Sequence, residues 1–186
     1  QEKGYHDEIE AYNELNAKWQ EGNSNPFWLK DKEGRSLLEL AAILGKKMAV
    51  RGLLAQPEAK DAELIIRSAA LHAAENGRHE LLHILSQQPG GFNFDHRCNG
   101  STPLIAAVLN NKSKCVSVLL TLKADPNQCD ENGISPLMHA VIDNNRTVAR
   151  LLIENGADPT LKDWSGRDAI SCSRSEEMDE VLAEAQ

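Results

Sequence analysis

Residues Asp130–Thr160 read DENGISPLMHAVIDNNRTVARLLIENGADPT. Ser135 followed by Pro136 suits a helix start. The hydroxyl caps the free amides, and proline at the first helical position gives up an N–H that would have had no partner there. An apolar segment follows, then a second one, Val148–Ile153, and the stretch closes on GADPT. The plan recurs along the chain. Gly34, Gly100, Gly133 and Gly166 lie 66, 33 and 33 residues apart, and two residues after each stands Ser36, Thr102, Ser135 or Asp168. TPLIAA at Thr102–Ala107 matches SPLMHA at Ser135–Ala140, and SLLELA at Ser36–Ala41 echoes both. Second apolar segments lie at Val50–Leu54 and Val116–Leu120, and KADPN at Lys123–Asn127 parallels GADPT at Gly156–Thr160.

A repeat of this length, with these motifs, resembles the ankyrin repeat, a β-turn plus two antiparallel helices. The resemblance covers about residues 30–186. It implies an all-α solenoid of helix-turn-helix pairs joined by β-hairpin loops. The repeats fall at about 30–62, 63–96, 97–129 and 130–162, with a C-terminal capping repeat at 163–186. Alanine pairs such as Ala41-Ala42 and Ala73-Ala74 let helices approach closely, and the Leu and Val positions fill the inter-repeat core. The second repeat departs from the pattern. Ser68 takes the Thr place and Ala69 the Pro place, 32 residues after Ser36 and 34 before Thr102. The preceding hairpin, QPEAKDAELIIRS, lacks the Asp and Gly at their usual places, and the following loop, SQQPGGFNFDHRCNG, carries one extra residue. Val181 and Leu182 take the core positions of Val148 and Ala149, and the acidic remainder of that segment fits a polar cap. Residues 1–29 read as an N-terminal capping helix or a partial repeat. Their apolar stripe runs through Ile9, Tyr12, Leu15 and Trp19 and stops near Gly22.

The 186 residues carry a formal net charge of -8, unevenly placed. Six acids face two bases in residues 1–22, and five acids face one base in residues 171–186. The middle is balanced, so no basic face is on offer to nucleic acid. No apolar run approaches the ~18 residues of a membrane span, and the polar start is unlike a signal peptide. The missing initiator Met predicts a chain trimmed from something larger. Cys98, Cys115, Cys129 and Cys172 show no C-x-x-C pair, which predicts reduced thiols and an intracellular setting, cytoplasmic or nuclear.

One motif points elsewhere. His79-Glu80-Leu81-Leu82-His83 matches H-E-x-x-H, the helical zinc motif of metalloproteases. In the repeat register, Leu81 and Leu82 are the packed pair, while His79 and His83 face outward at places held elsewhere by Lys47 and Arg51, or Arg146 and Arg150. A zinc peptidase also needs a third ligand and a cleft. His96 with Cys98 lacks the orienting group that Cys/His catalysis needs. Cys115 reads as a buried hydrophobe, and His72 and His139 as packed, hydrogen-bonded side chains. The expectation is therefore no enzyme, no cofactor and no metal.

By resemblance, the chain binds a partner protein or peptide on its concave side, made of hairpin tips and the exposed side of each first helix, and is monomeric alone. It recruits that partner to a domain outside this chain. The alternative setting is the targeting part of a secreted bacterial effector, acting in host cytoplasm, or of a ligase adaptor. Carried onto this sequence, the first repeat offers Lys30, Lys32, Glu33, Arg35, Ile43 and Leu44. The second offers Glu75 and Asn76. The third offers Asn99, Ser101, Leu109 and Asn110, and the fourth Glu131, Asn132, Ile134, Ile142 and Asp143. The cap offers Trp164, Ser165 and Arg167. Trp164 stands out: at a hairpin tip it has little core to enter, and Trp and Arg dominate binding hot spots.

Overall fold

The structure, a computed structural model, describes residues 2–20, 25–88 and 92–183. It contains an N-terminal helix α1 (Glu2–Gln20) and four helix pairs: α2 (Leu37–Leu44) with α3 (Lys47–Leu54), α4 (Glu63–Glu75) with α5 (His79–Ser86), α6 (Pro103–Leu109) with α7 (Ser113–Thr121), and α8 (Pro136–Ile142) with α9 (Arg146–Glu154). A shorter pair, α10 (Ala169–Cys172) and α11 (Glu176–Ala183), closes the stack. Among the described residues the only β-pairing is two isolated bridges, Lys30–Ser36 and Cys98–Ser101.

The expected caps form. Thr102 Oγ1 accepts from Ile105 N at 3.2 Å and Ser135 Oγ from Met138 N at 3.2 Å, each followed by proline at the first helical position. Asp168 does the same for Ser171 N at 2.8 Å. The turn inside each pair needs a left-handed residue, supplied by Gly45, Gly77, Asn111 and Asn144. First helices then stack on first helices (α2 on α4 on α6 on α8 on α10) and second on second (α3 on α5 on α7 on α9 on α11). The core lies between these two layers. Ala41, Ala73, Ala107 and Ala140 are fully buried there beside Leu53, Leu85, Leu119 and Leu152. Val181 and Leu182 are buried in the last pair, as their register requires.

At the N-terminus, α1 packs on α2 through Leu15, which is buried, with Tyr12 and Trp19 half-buried. The expected stop at Gly22 lies outside the described residues, as do positions 89–91 of the loop read as carrying one extra residue.

The second repeat differs from the expected register. Ser68 does not start a helix. Helix α4 begins at Glu63, so Ser68 is internal and its hydroxyl donates to Glu39 Oε1 of the preceding repeat at 2.5 Å. The reason is local. Residues 63–67, Glu-Leu-Ile-Ile-Arg, contain no Gly, Pro or cap to break a helix. They bury Ile65 and Ile66, and they carry a Glu63–Arg67 pair one helical turn apart. Upstream, Pro57 opens a short 3-10 helix, Pro57–Asp61. The second repeat therefore has no hairpin.

Candidate functional site

Hairpins project before α2, α6, α8 and α10, and an aspartate builds three of them. Asp31, Asp130 and Asp163 each accept two tip amides on one carboxylate oxygen: those of Glu33 and Arg35, of Asn132 and Ile134, and of Ser165 and Arg167. The other oxygen takes a side-chain donor. In the first and last hairpins this is Arg35 Nε or Arg167 Nε, each at 2.8 Å. In the fourth repeat, Ile134 stands where the arginine would be, and His139 Nε2 from α8 reaches Asp130 Oδ2 at 3.0 Å instead. Burial alone would raise the Asp31 carboxyl, but its bonds to Arg35 and Glu33 hold it below its ordinary value. The Asp163 carboxyl is lowered chiefly by the Arg167 amide. The third hairpin has Arg97 in the aspartate place. It turns instead on Asn99-Gly100, both left-handed, with Cys98 and Ser101 exchanging backbone bonds at 2.8 and 3.2 Å. Asn-Gly is the preferred pair for that two-residue turn.

Adjacent tips interlock. Trp164 donates its backbone N–H to Asn132 O at 3.2 Å and its indole Nε1–H to Glu131 O at 2.8 Å. Its ring lies on Gly133, whose backbone is left-handed and buried. A Cβ there would sit 3.1 Å from Trp164 Cδ2. Yet Trp164 as a whole is 79% exposed. The indole is tied down along one edge and open on the rest.

Several candidate positions lie on this open side. Leu109 at 49% and Ile142 at 38% exposure end α6 and α8 one repeat apart, and Asn110 and Asp143 beside them are exposed. Lys32, Glu33, Asn76, Asn99, Glu131, Asn132, Ser165 and Arg167 are exposed, and Glu75, Ser101 and Ile134 are half-buried. Two expectations are corrected. Ile43 and Leu44 are each only 6% exposed, so neither is open to a partner. Helices α1 and α4 flank α2, and Arg78 from the next repeat crosses its C-terminus, donating Nε–H to Ile43 O at 3.0 Å. Arg35 and Lys30 are also engaged internally, Arg35 with Asp31, Glu33 and Glu8, and Lys30 with Glu39. Asn76 and Asn110 spend their side-chain N–H groups on their own helix ends, at His72 O and Ala106 O.

One residue escaped the sequence reading. Glu39 is 8% exposed and gathers Ser36 N–H, the Ser36 hydroxyl and the Ser68 hydroxyl at 2.5–2.7 Å. Its signal was available, because Ser36-x-x-Glu39 is a capping box.

His79 and His83 sit on α5, His83 exposed and His79 half-buried. Glu80 between them pairs with Lys47 of the preceding repeat, and that bond leads the causes that lower its carboxyl below its ordinary value. No three His, Cys, Asp or Glu side chains converge on one point among the described residues. Because exposed pairs contribute little, Glu80→Gln should leave the melting temperature unchanged in a thermal scan. Proteolytic activity that is chelator-sensitive and abolished by this substitution would contradict that reading. The four cysteines are free thiols. Burial pushes the Cys115 thiol up to about 11 and also raises those of Cys129 and Cys172, the opposite of an activated nucleophile. His72 bonds Glu75 at 3.0 Å, so it and His139 are the packed, partnered histidines expected.

Stacked helix pairs, each packed against the pairs on either side of it, define a helical solenoid of the repeat class. A family model described as ankyrin repeats, in three copies, matches residues 70–163. The chain belongs to the ankyrin repeat family, and it is a protein–protein interaction module of a generally non-catalytic kind. No curated protein matches it. No described helix is long and apolar enough to cross a membrane.

Proposed function

We propose that the chain, as a monomer, holds a partner protein or peptide on the side formed by the tips of the hairpins before α6, α8 and α10 and the ends of α6 and α8, and presents it to a domain outside this chain. The observation that carries this reading is Trp164. A large aromatic that is 79% exposed in a folded chain is unusual, and its anchored indole edge fixes the ring before any partner arrives. Such a ring loses little conformational freedom on binding. The helix-end apolar groups Leu109 and Ile142 extend the patch, and Arg167 and Glu131 give it a charged rim.

The test is Trp164→Ala. We expect it to weaken the partner by at least about 1–2 kcal/mol in calorimetric titration. Stability should fall by no more than about 1 kcal/mol, because the bond to Glu131 O is exposed and water replaces it. Unchanged affinity would remove Trp164 from the interface.

A further inference from the structure

The row of tips is interrupted at the second repeat, and the interruption has a defined shape. Four residues before each helix-start place stand Lys32, Leu64, Cys98, Glu131 and Trp164. In the last two repeats this side chain lies over the glycine of the preceding tip. Glu131 Oε2 is 2.8 Å from the Cβ position of Gly100, and Trp164 Cδ2 is 3.1 Å from that of Gly133. Leu64 cannot do this for Gly34, because it lies in the first turn of α4 rather than on a hairpin. Leu64 is 76% exposed instead. Gly34 is exposed, with nothing within 4 Å of its Cβ position. Lys32 and Glu33 hold the places of Glu131 and Asn132, whose carbonyls accept the two N–H groups of Trp164. Among the described residues, no backbone N–H donates to the Lys32 or Glu33 carbonyl.

We infer that this gap receives a tryptophan-bearing β-turn from a partner protein. The chain itself supplies the template, since its fifth tip already fits the equivalent surface of its fourth. The partner's turn takes the place of the second hairpin. Its indole covers Gly34 beside Leu64, and its backbone and indole N–H groups bond the Glu33 and Lys32 carbonyls. The inference goes beyond the Trp164 surface, because Trp164 plays no part in it; either can fail alone.

A cyclic peptide of residues 161–168, LKDWSGRD, is a suitable probe, titrated into the full chain and followed by backbone amide shifts. The largest shifts are expected at residues 31–36 and 63–67. Replacing the peptide's tryptophan by alanine should weaken binding at least about tenfold. Gly34→Asn in the chain should do the same. Asn tolerates the left-handed backbone, and its side chain would stand in the open space over the tip. Leu64→Asp should weaken binding in the same direction. Gly166→Asn is the control, since Gly166 is also open, at φ +79°, but at the end of the stack. Loss of binding with Gly166→Asn and not with Gly34→Asn would move the site to that end and overturn the inference, as would an absence of shifts. Self-association of the unliganded chain, lost in both Gly34→Asn and Trp164→Ala, would assign the gap to a second copy and overturn it equally.

Discussion

Leu119→Ala is expected to lower the unfolding free energy by about 2–5 kcal/mol. Leu119 is fully buried in α7, which packs against α6 within its own repeat and against α5 and α9 on either side. Truncation removes transfer free energy and leaves a cavity that the three surrounding helices cannot easily close. The equivalent Leu152 is also fully buried, but its helix α9 has the short closing pair on one side. Leu152→Ala should therefore cost no more than Leu119→Ala. Both effects are measured by urea titration with a shared slope. A loss below about 1 kcal/mol at Leu119 would mean that the layers are not packed as described.

Glu39→Ala should cost roughly 2–4 kcal/mol, because it strands the buried Ser36 donors and the half-buried Ser68 hydroxyl at the junction of the first two repeats. That junction has no hairpin contact on its second-repeat side, so the carboxylate bears more of the coupling. The effect carries a pH signature. Burial raises the Glu39 carboxyl, but the Ser68 and Ser36 hydroxyls, the Ser36 amide and the Lys30 charge together lower it below its ordinary 4.5. A depressed folded-state value stabilises the fold above the unfolded value and loses that contribution as pH falls through the folded one. The stability gap between the parent chain and Glu39→Gln should thus be full at pH 7 and shrink as pH drops below about 4.5. A gap independent of pH would show that Glu39 acts by shape alone.

The repeat was legible wherever its turn chemistry is written in side chains. Asp31, Asp130 and Asp163 with their glycines specify hairpins, and Thr102-Pro103 and Ser135-Pro136 specify helix starts. The second repeat was less legible, because a serine that caps a helix and a serine that serves a neighbour's glutamate look the same in one dimension. Only the helix-compatible run Glu63–Arg67 signalled the difference. Ile43 and Leu44 were misplaced for a related reason. Their exposure depends on Arg78, 35 residues from Ile43, reaching back over the helix end. At the candidate site, Trp164's exposure followed from its place at a tip. Its bond to Glu131 O did not, since no local pattern fixes how far apart two tips stand.

The most direct test of the interaction surface is a paired affinity measurement on whatever partner the chain captures. One variant combines Leu109→Ala, Ile134→Ala and Trp164→Ala. The other combines His83→Ala and Arg146→Ala on the second-helix layer. Binding lost in the first and retained in the second is the predicted result. Binding retained in the first and lost in the second would place the interface on the outer helices and contradict the account.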